Sequence, residues 1–310
     1  MKYLKLIRFP NLVLLAFMQL VFRYGFLEKQ NVTLALNQFQ FTLLILASIF
    51  LAAGGYIIND IFDQDIDAVN KPNKKIIGIF ITEEKAYYLY AFCTIIGVAL
   101  GMYLSNVIQK PAFLSLFMFI AVLLYFYAST LKSIALLGNI VVSGLVAFSV
   151  LILALFDLYP MLNYNDYQST VIVFSVLKDF AIFAFVINLI REVVKDCEDI
   201  IGDKIQNCKT LPVTIGLTLT NKITAALLAL SAAYLIYYCF TFLMYGKLIY
   251  ATFYLFASVI APMLYSIFGI WKAKESEEYN KISAILKMIL FFGIISIAII
   301  TYLIPNASNG

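Results

Sequence analysis

The sequence predicts an all-α integral membrane protein, with nine transmembrane helices around a central cavity arranged as two four-helix halves plus one helix. Three observations carry this. Of 310 residues, 63% are hydrophobic and only 13% charged, and the mean hydropathy of +0.92 is far outside what a water-soluble chain carries. Apolar runs long enough for a bilayer of ~30 Å, roughly 17–25 helical residues, recur from end to end. No run shows the alternating ten-residue pattern of a membrane barrel, so a lipid-embedded backbone must close its own hydrogen bonds as helix.

The spans fall at 10–27, 40–60, 85–106, 111–129, 134–157, 170–192, 219–243, 248–271 and 283–304. The first carries Arg23 near its end and no small-x-small site follows, so it reads as a retained helix and not a cleaved leader. The second and sixth run directly into acidic segments. Lys132 ends a short turn between the fourth and fifth. The last span has no counterpart, so the chain reads as one domain, 1–310, with a pseudo-repeat of 10–129 and 134–271 and an extra helix at 283–304.

Charge gives the orientation. With the N-terminus inside, only Arg23, Lys29, Lys110, Lys178 and Lys247 of the 22 Lys and Arg fall outside. Seventeen against five is a strong positive-inside bias, and it places both acidic segments at the cytoplasmic side of the cell (inner) membrane. A net charge of +4 is too small to argue for nucleic acid. Cys93, Cys197, Cys208 and Cys239 are scattered without zinc spacing, and the absence of histidine excludes imidazole bases, His-ligated metals and Ser-His triads.

Carboxylates are costly at membrane depth, yet here they gather. Asp60, Asp63 and Asp67 are spaced by three and four, as are Asp196, Asp199 and Asp203, each 136 residues after its counterpart. Such spacing places each trio on a narrow helical stripe, and Glu192 extends the second stripe by a turn. Six converging aspartates repel unless cations sit between them. All-oxygen ligands favour a hard ion, and Mg²⁺ suits a site of few carboxylates plus substrate phosphate oxygens. An EF-hand is rejected, because Ala68 and Lys74 stand where its glycine and glutamate are needed. Lys71, Lys74, Lys75, Lys204 and Lys209 follow the motifs, either through the inside bias alone or as a cap over a metal-held polyanion.

These residues resemble the UbiA superfamily of intramembrane prenyltransferases: Asn59-Asp60-x-x-Asp63-x-x-x-Asp67 before Asn70-Lys71-Pro72, Asp196-x-x-Asp199-x-x-x-Asp203, the turn from Tyr127 to Lys132 with Gly138-Asn139 after it, and Arg8-Phe9-Pro10-Asn11. Within the superfamily, the stretch from Arg191 to Pro212 looks most like geranylgeranylglycerol-phosphate geranylgeranyltransferases. The resemblance implies two Mg²⁺ ions, an isoprenyl diphosphate donor, and a lipid or aromatic acceptor in or at the membrane. It implies that Asn59, Asp60, Asp63, Asp67, Asp196, Asp199 and Asp203 hold Mg²⁺ and diphosphate. It further implies that Lys132, Lys74 and Arg8 contact the diphosphate, with Asn11 beside Arg8 and Tyr127 close by. Where many members have Arg-Pro after Pro72, this chain has Lys74-Lys75, a point charge in place of a forked donor.

The activity expected is Mg²⁺-dependent prenyl transfer, with geranylgeranylglyceryl phosphate as first choice of acceptor and 4-hydroxybenzoate or a dihydroxynaphthoate, as in quinone synthesis, as the alternative. The acceptor's proton then goes to a carboxylate, a tyrosinate, water or the released diphosphate. A divalent-cation transporter would also set carboxylates between repeated helices, but along a path open to both sides. The outer half is expected to lack a matching polar set.

Overall fold

The computed structural model describes residues 2–64, 75–164 and 166–307. Among these, nine helices are long and apolar enough to cross a membrane: α1 (Phe9–Lys29), α2 (Gln38–Phe62), α3 (Glu83–Val107), α4 (Pro111–Ser129), α5 (Leu137–Met161), α6 (Tyr167–Glu198), α7 (Leu217–Met244), α8 (Ile249–Lys272) and α9 (Ser276–Ile304). Every expected span is present. The largest differences are at α6 and α9, which extend beyond the hydrocarbon-length runs. Asp166 caps α6 by accepting from the Ser169 N–H at 2.8 Å, and Glu277 and Glu278 occupy the first turn of α9, where the helix dipole favours negative charge.

Local sequence sets the other starts. Asn37 and Gln40 form a reciprocal capping box on α2, at 3.0 and 2.9 Å. Arg8 adopts a left-handed conformation (φ 49°) between the short helix Lys2–Leu6 and α1, and Pro10 sits in the first turn of α1, where its missing N–H costs nothing.

Small residues let the helices approach. A Cβ at Gly97 on α3 would lie 2.8 Å from Leu51 of α2, and one at Gly101 would lie 2.3 Å from the Phe117 ring of α4. Two large apolar cores result. One gathers Phe22, Phe41, Phe117, Phe156 and Leu177 from α1, α2, α4, α5 and the first half of α6. The other joins the second half of α6 to α7, α8 and α9 through Ile187, Leu228, Val259, Met263 and Leu286. Helix α6 therefore serves both.

The end of the bundle remote from the acidic motifs departs from expectation, because it is not free of polar groups. Arg23 and Asp157, each in a π-helical turn of its helix, pair at 2.6 Å. Arg23 also meets Glu28 at 3.1 Å and donates to the Leu36 carbonyl at 2.8 Å, while Asp157 accepts from the Leu36 N–H. Arg23 and Asp157 are buried, Asp157 at 0% exposure, while Glu28 is exposed. Both residues fall in π turns, which a regular 3.6-residue reading of α1 and α5 does not anticipate.

Candidate active site

Both acidic motifs begin where a long helix ends. Helix α2 stops at Phe62 and Asp63 closes it, its N–H bonded to the Asn59 carbonyl at 2.9 Å. Helix α6 stops at Glu198 and Asp199 closes it in the same way, its N–H bonded to the Lys195 carbonyl at 2.9 Å. Their backbone angles nearly coincide, φ −90°, ψ 2° and φ −96°, ψ 8°. The continuous helical stripe expected for the second trio is thus broken at its middle aspartate, and Asp203 sits on a separate short helix, Ile200–Ile205. Asp67, Lys71 and Lys74 lie outside the described residues.

The carboxylates are individually partnered. Arg8 reaches Asp60 at 3.0 Å and lies over the Tyr56 ring at 4.9 Å. Burial opposes the Arg8 charge, but Asp60 outweighs it and holds the guanidinium above its ordinary pKa. Lys132 reaches Asp63 at 2.5 Å, and Asn59 Nδ2 donates to the other Asp63 oxygen at 2.5 Å. On the second side Asn139 donates to Asp196 at 2.8 Å and Thr210 to Asp203 at 3.0 Å. The two sides are joined where the Lys209 N–H bonds the Ser133 carbonyl at 2.8 Å, tying the segment after the second motif to the Lys132 turn. The Cys208 thiol beside them is pushed up by burial and by Asp203, so it is no thiolate nucleophile.

Lys132 is positioned by a close backbone approach. A Cβ on Gly138 would stand 2.7 Å from the Lys132 Cα and 3.1 Å from the Leu131 carbonyl oxygen, and Leu136 at the turn's end is itself left-handed, φ 61°. Neither backbone contact can yield cheaply. Gly138→Ala is therefore expected to move the turn and separate Lys132 from Asp63, lowering kcat/KM about 10²-fold in a protein that still folds. Steady-state kinetics beside a melting curve check this, and an unchanged kcat/KM would show that the turn tolerates the shift.

Beside these groups lies a cavity of about 460 Å³, whose wall includes none of the described aspartates of either motif and not Lys132. Arg8, Asn11, Asn59 and Tyr127 line it, together with Tyr56, Glu192 and Lys287. Deeper in, the wall is hydrocarbon, with Leu15, Met18, Phe22, Val146, Val150 and Phe180. Lys204 and Lys209 are exposed and do not line it. Lys75 likewise lies off the wall. Sequence reasoning did not single out Asn11's partner Lys287, nor Arg191, Glu192 and Lys195 as wall residues. The available signal was the cost of ionisable side chains within an apolar span, which Lys287 on α9 pays openly.

The donors fit a hard divalent cation by type. They are carboxylate and amide oxygens, and Asn59 Oδ1 is buried with no partner. Among the described residues, no three acidic side chains converge as a ready-made ligand set, since each is drawn to its own cation, amide or hydroxyl.

Among the described residues, nine membrane-length helices around a chamber that is part charged and part hydrocarbon define an integral membrane protein. Residues 24–301 match the model of the UbiA prenyltransferase family, and the chain belongs to that family of membrane enzymes. It is similar to the digeranylgeranylglyceryl phosphate synthase of Saccharolobus solfataricus, 32% identical over 74% of this chain and 73% of that protein. The protein of that name from Sulfurisphaera tokodaii is 32% identical over 80% and 84%. The fold is shared with a UbiA homologue from Archaeoglobus fulgidus bound to DMAPP and Mg²⁺, at a TM-score of 0.56 and 18% identity over 96% of this chain and 99% of that one.

Proposed function

We propose that this prenyltransferase carries a geranylgeranyl group from its diphosphate to geranylgeranylglyceryl phosphate, with Mg²⁺, at the cytoplasmic side of the cell membrane. The observation that carries the acceptor is the pair of relatives named digeranylgeranylglyceryl phosphate synthase, each 32% identical, over 74% and 80% of this chain and 73% and 84% of theirs. Asn59, Asp60, Asp63, Asp67, Asp196, Asp199 and Asp203 would hold Mg²⁺, which when bound supplies positive charge to the leaving diphosphate. Support for the metal comes from the buried, unpartnered Asn59 Oδ1 and from the Archaeoglobus fulgidus homologue, itself bound to Mg²⁺.

In this reading Arg8 and Lys132, with Lys74 beyond the described residues, neutralise the diphosphate as the allylic C1–O bond breaks. The hydrocarbon wall keeps water from the developing cation, and the Tyr127 ring faces the same chamber. The acceptor's hydroxyl oxygen then bonds to C1, its proton passing to an oxygen base. Lys71, Lys204 and Lys209 serve as outer cations that draw polyanions to the mouth. The halves 10–129 and 134–271, with 283–304 left over, are read as a pseudo-repeat; the matched caps at Asp63 and Asp199 support it.

The test offers purified protein Mg²⁺, geranylgeranyl diphosphate and two acceptors together, geranylgeranylglyceryl phosphate and 4-hydroxybenzoate, with products identified by mass spectrometry. Ether lipid is expected. A C-prenylated aromatic acid without ether lipid would move the reading to quinone precursors, and Mg²⁺ flux in liposomes to transport. In sealed inside-out and right-side-out vesicles, cysteines placed at positions 64 and 205 should label only from the cytoplasmic side, and labelling from outside would reverse the orientation.

A further inference from the structure

The cations in and beside the cavity fall into two sets by their ion pairs, with Lys132 of the first set lying off the cavity wall. In the first, Arg8 and Lys132 are each matched by a carboxylate of the first motif, Asp60 and Asp63. The second is on the cavity wall, where Arg191 and Lys195 project from one face of α6 and share a single carboxylate, Glu192, at 3.1 and 2.9 Å. Lys287 of α9 lines the same chamber. It donates to Asn11 Oδ1 at 2.6 Å and, among the described residues, meets no carboxylate. Arg191 Nε is buried and has no hydrogen-bond partner.

By direct contact these three cations meet one carboxylate, an excess of positive charge inside a bundle where uncompensated charge is costly. A phosphate monoester carries about −1.5 to −2 at neutral pH and presents three acceptor oxygens, a closer match than the single charge of an aromatic carboxylate. The free Nε edge of Arg191 adds directional donation that phosphate accepts well. Lys204 and Lys209, the cations that follow the second motif in sequence, are exposed off the wall.

We propose that Arg191, Lys195 and Lys287 form the site for the acceptor's phosphate monoester, distinct from the cations that meet the donor diphosphate. The proposal rests on the phosphorylated-lipid reading of the acceptor given above. Glu192 holds Arg191 and Lys195 in register, and Asn11 steers Lys287, which makes those two positioning residues for the site.

The experiment uses the full chain in lipid nanodiscs with Mg²⁺ and geranylgeranyl diphosphate, and offers either geranylgeranylglyceryl phosphate or the same lipid lacking its phosphate. Lys287→Met, which keeps the apolar stem, is expected to raise the KM of the phosphorylated acceptor about 10- to 100-fold, to leave the donor KM within about twofold, and to leave the unphosphorylated acceptor unaffected. Lys287→Arg should restore most of the loss. A donor KM that rises as much as the acceptor's, or an acceptor KM that does not move, overturns the site. For a variant that folds poorly, Lys195→Gln supplies a second measurement: glycerol 1-phosphate should compete with the acceptor less well than in the unsubstituted protein, and equal inhibition also overturns the site. Wild-type protein that prenylates 4-hydroxybenzoate and makes no ether lipid would remove the acceptor reading itself and this site with it. Ether-lipid synthesis with an unshifted acceptor KM would remove the site alone.

Discussion

Asp63→Asn and Asp199→Asn are each expected to lower kcat by about 10²–10³ while leaving the bundle folded. Both residues close a helix with the same backbone geometry, so asparagine, which fits a cap, preserves the local fold and removes only the charge. Asp63 loses its ion pair with Lys132, but both side chains are 17% exposed, and partly solvated pairs of this kind contribute about 1 kcal/mol or less. Stability should therefore fall little and turnover much. If the carboxylates hold Mg²⁺, the Mg²⁺ concentration for half-maximal rate should rise in both variants. Thermal melting, kcat and a Mg²⁺ titration on the same preparations separate the effects, and a variant with near-normal kcat would take that residue out of the metal shell.

Much of this was legible in the sequence because the bilayer imposes a length on every span. The hydropathy runs therefore mark each of the nine helices, and they miss only the polar turns at the ends of α6 and α9. The matched aspartate trios were also legible, since spacing and recurrence are properties of the chain itself. What was not legible depends on where helices stop and turn. Periodicity carries a stripe through Asp63 and Asp199, but the backbone ends its long helix at both, and the second trio is divided there. The pairing of Lys132 with Asp63 crosses 69 residues and depends on Gly138 having no Cβ, which a motif can mark but cannot derive. Lysines exposed after the motifs drew attention by proximity in sequence, whereas Lys287 reaches the cavity from the last helix, 276 residues from its partner Asn11. Arg23 was counted as an outside charge, and its burial against Asp157 needs the π turns of two helices to be known.

The buried pair at the other end of the bundle gives the second large effect. Asp157→Leu is expected to destabilise the protein by about 3–5 kcal/mol, because it strands the Arg23 guanidinium in a buried setting and leaves the Leu36 N–H without its acceptor. Glu28 tempers the loss, since it still meets Arg23 at 3.1 Å, so the lower part of that range is the expectation. Replacing both partners, Arg23→Met with Asp157→Leu, removes the stranded charge and should recover most of the loss, as apolar replacements of buried pairs often do. Melting of the two single variants and the double variant in nanodiscs measures the coupling. Activity decides what the pair is for. It stands at the opposite ends of α1 and α5 from Arg8 and Lys132, so below its melting temperature the double variant should retain the wild-type KM for donor and acceptor and the wild-type kcat. A double variant that is stable but inactive, or one in which Mg²⁺ flux across a liposome changes, would place Arg23 and Asp157 on a functional path through the membrane and revive the transport reading that an enzyme loaded from one side excludes.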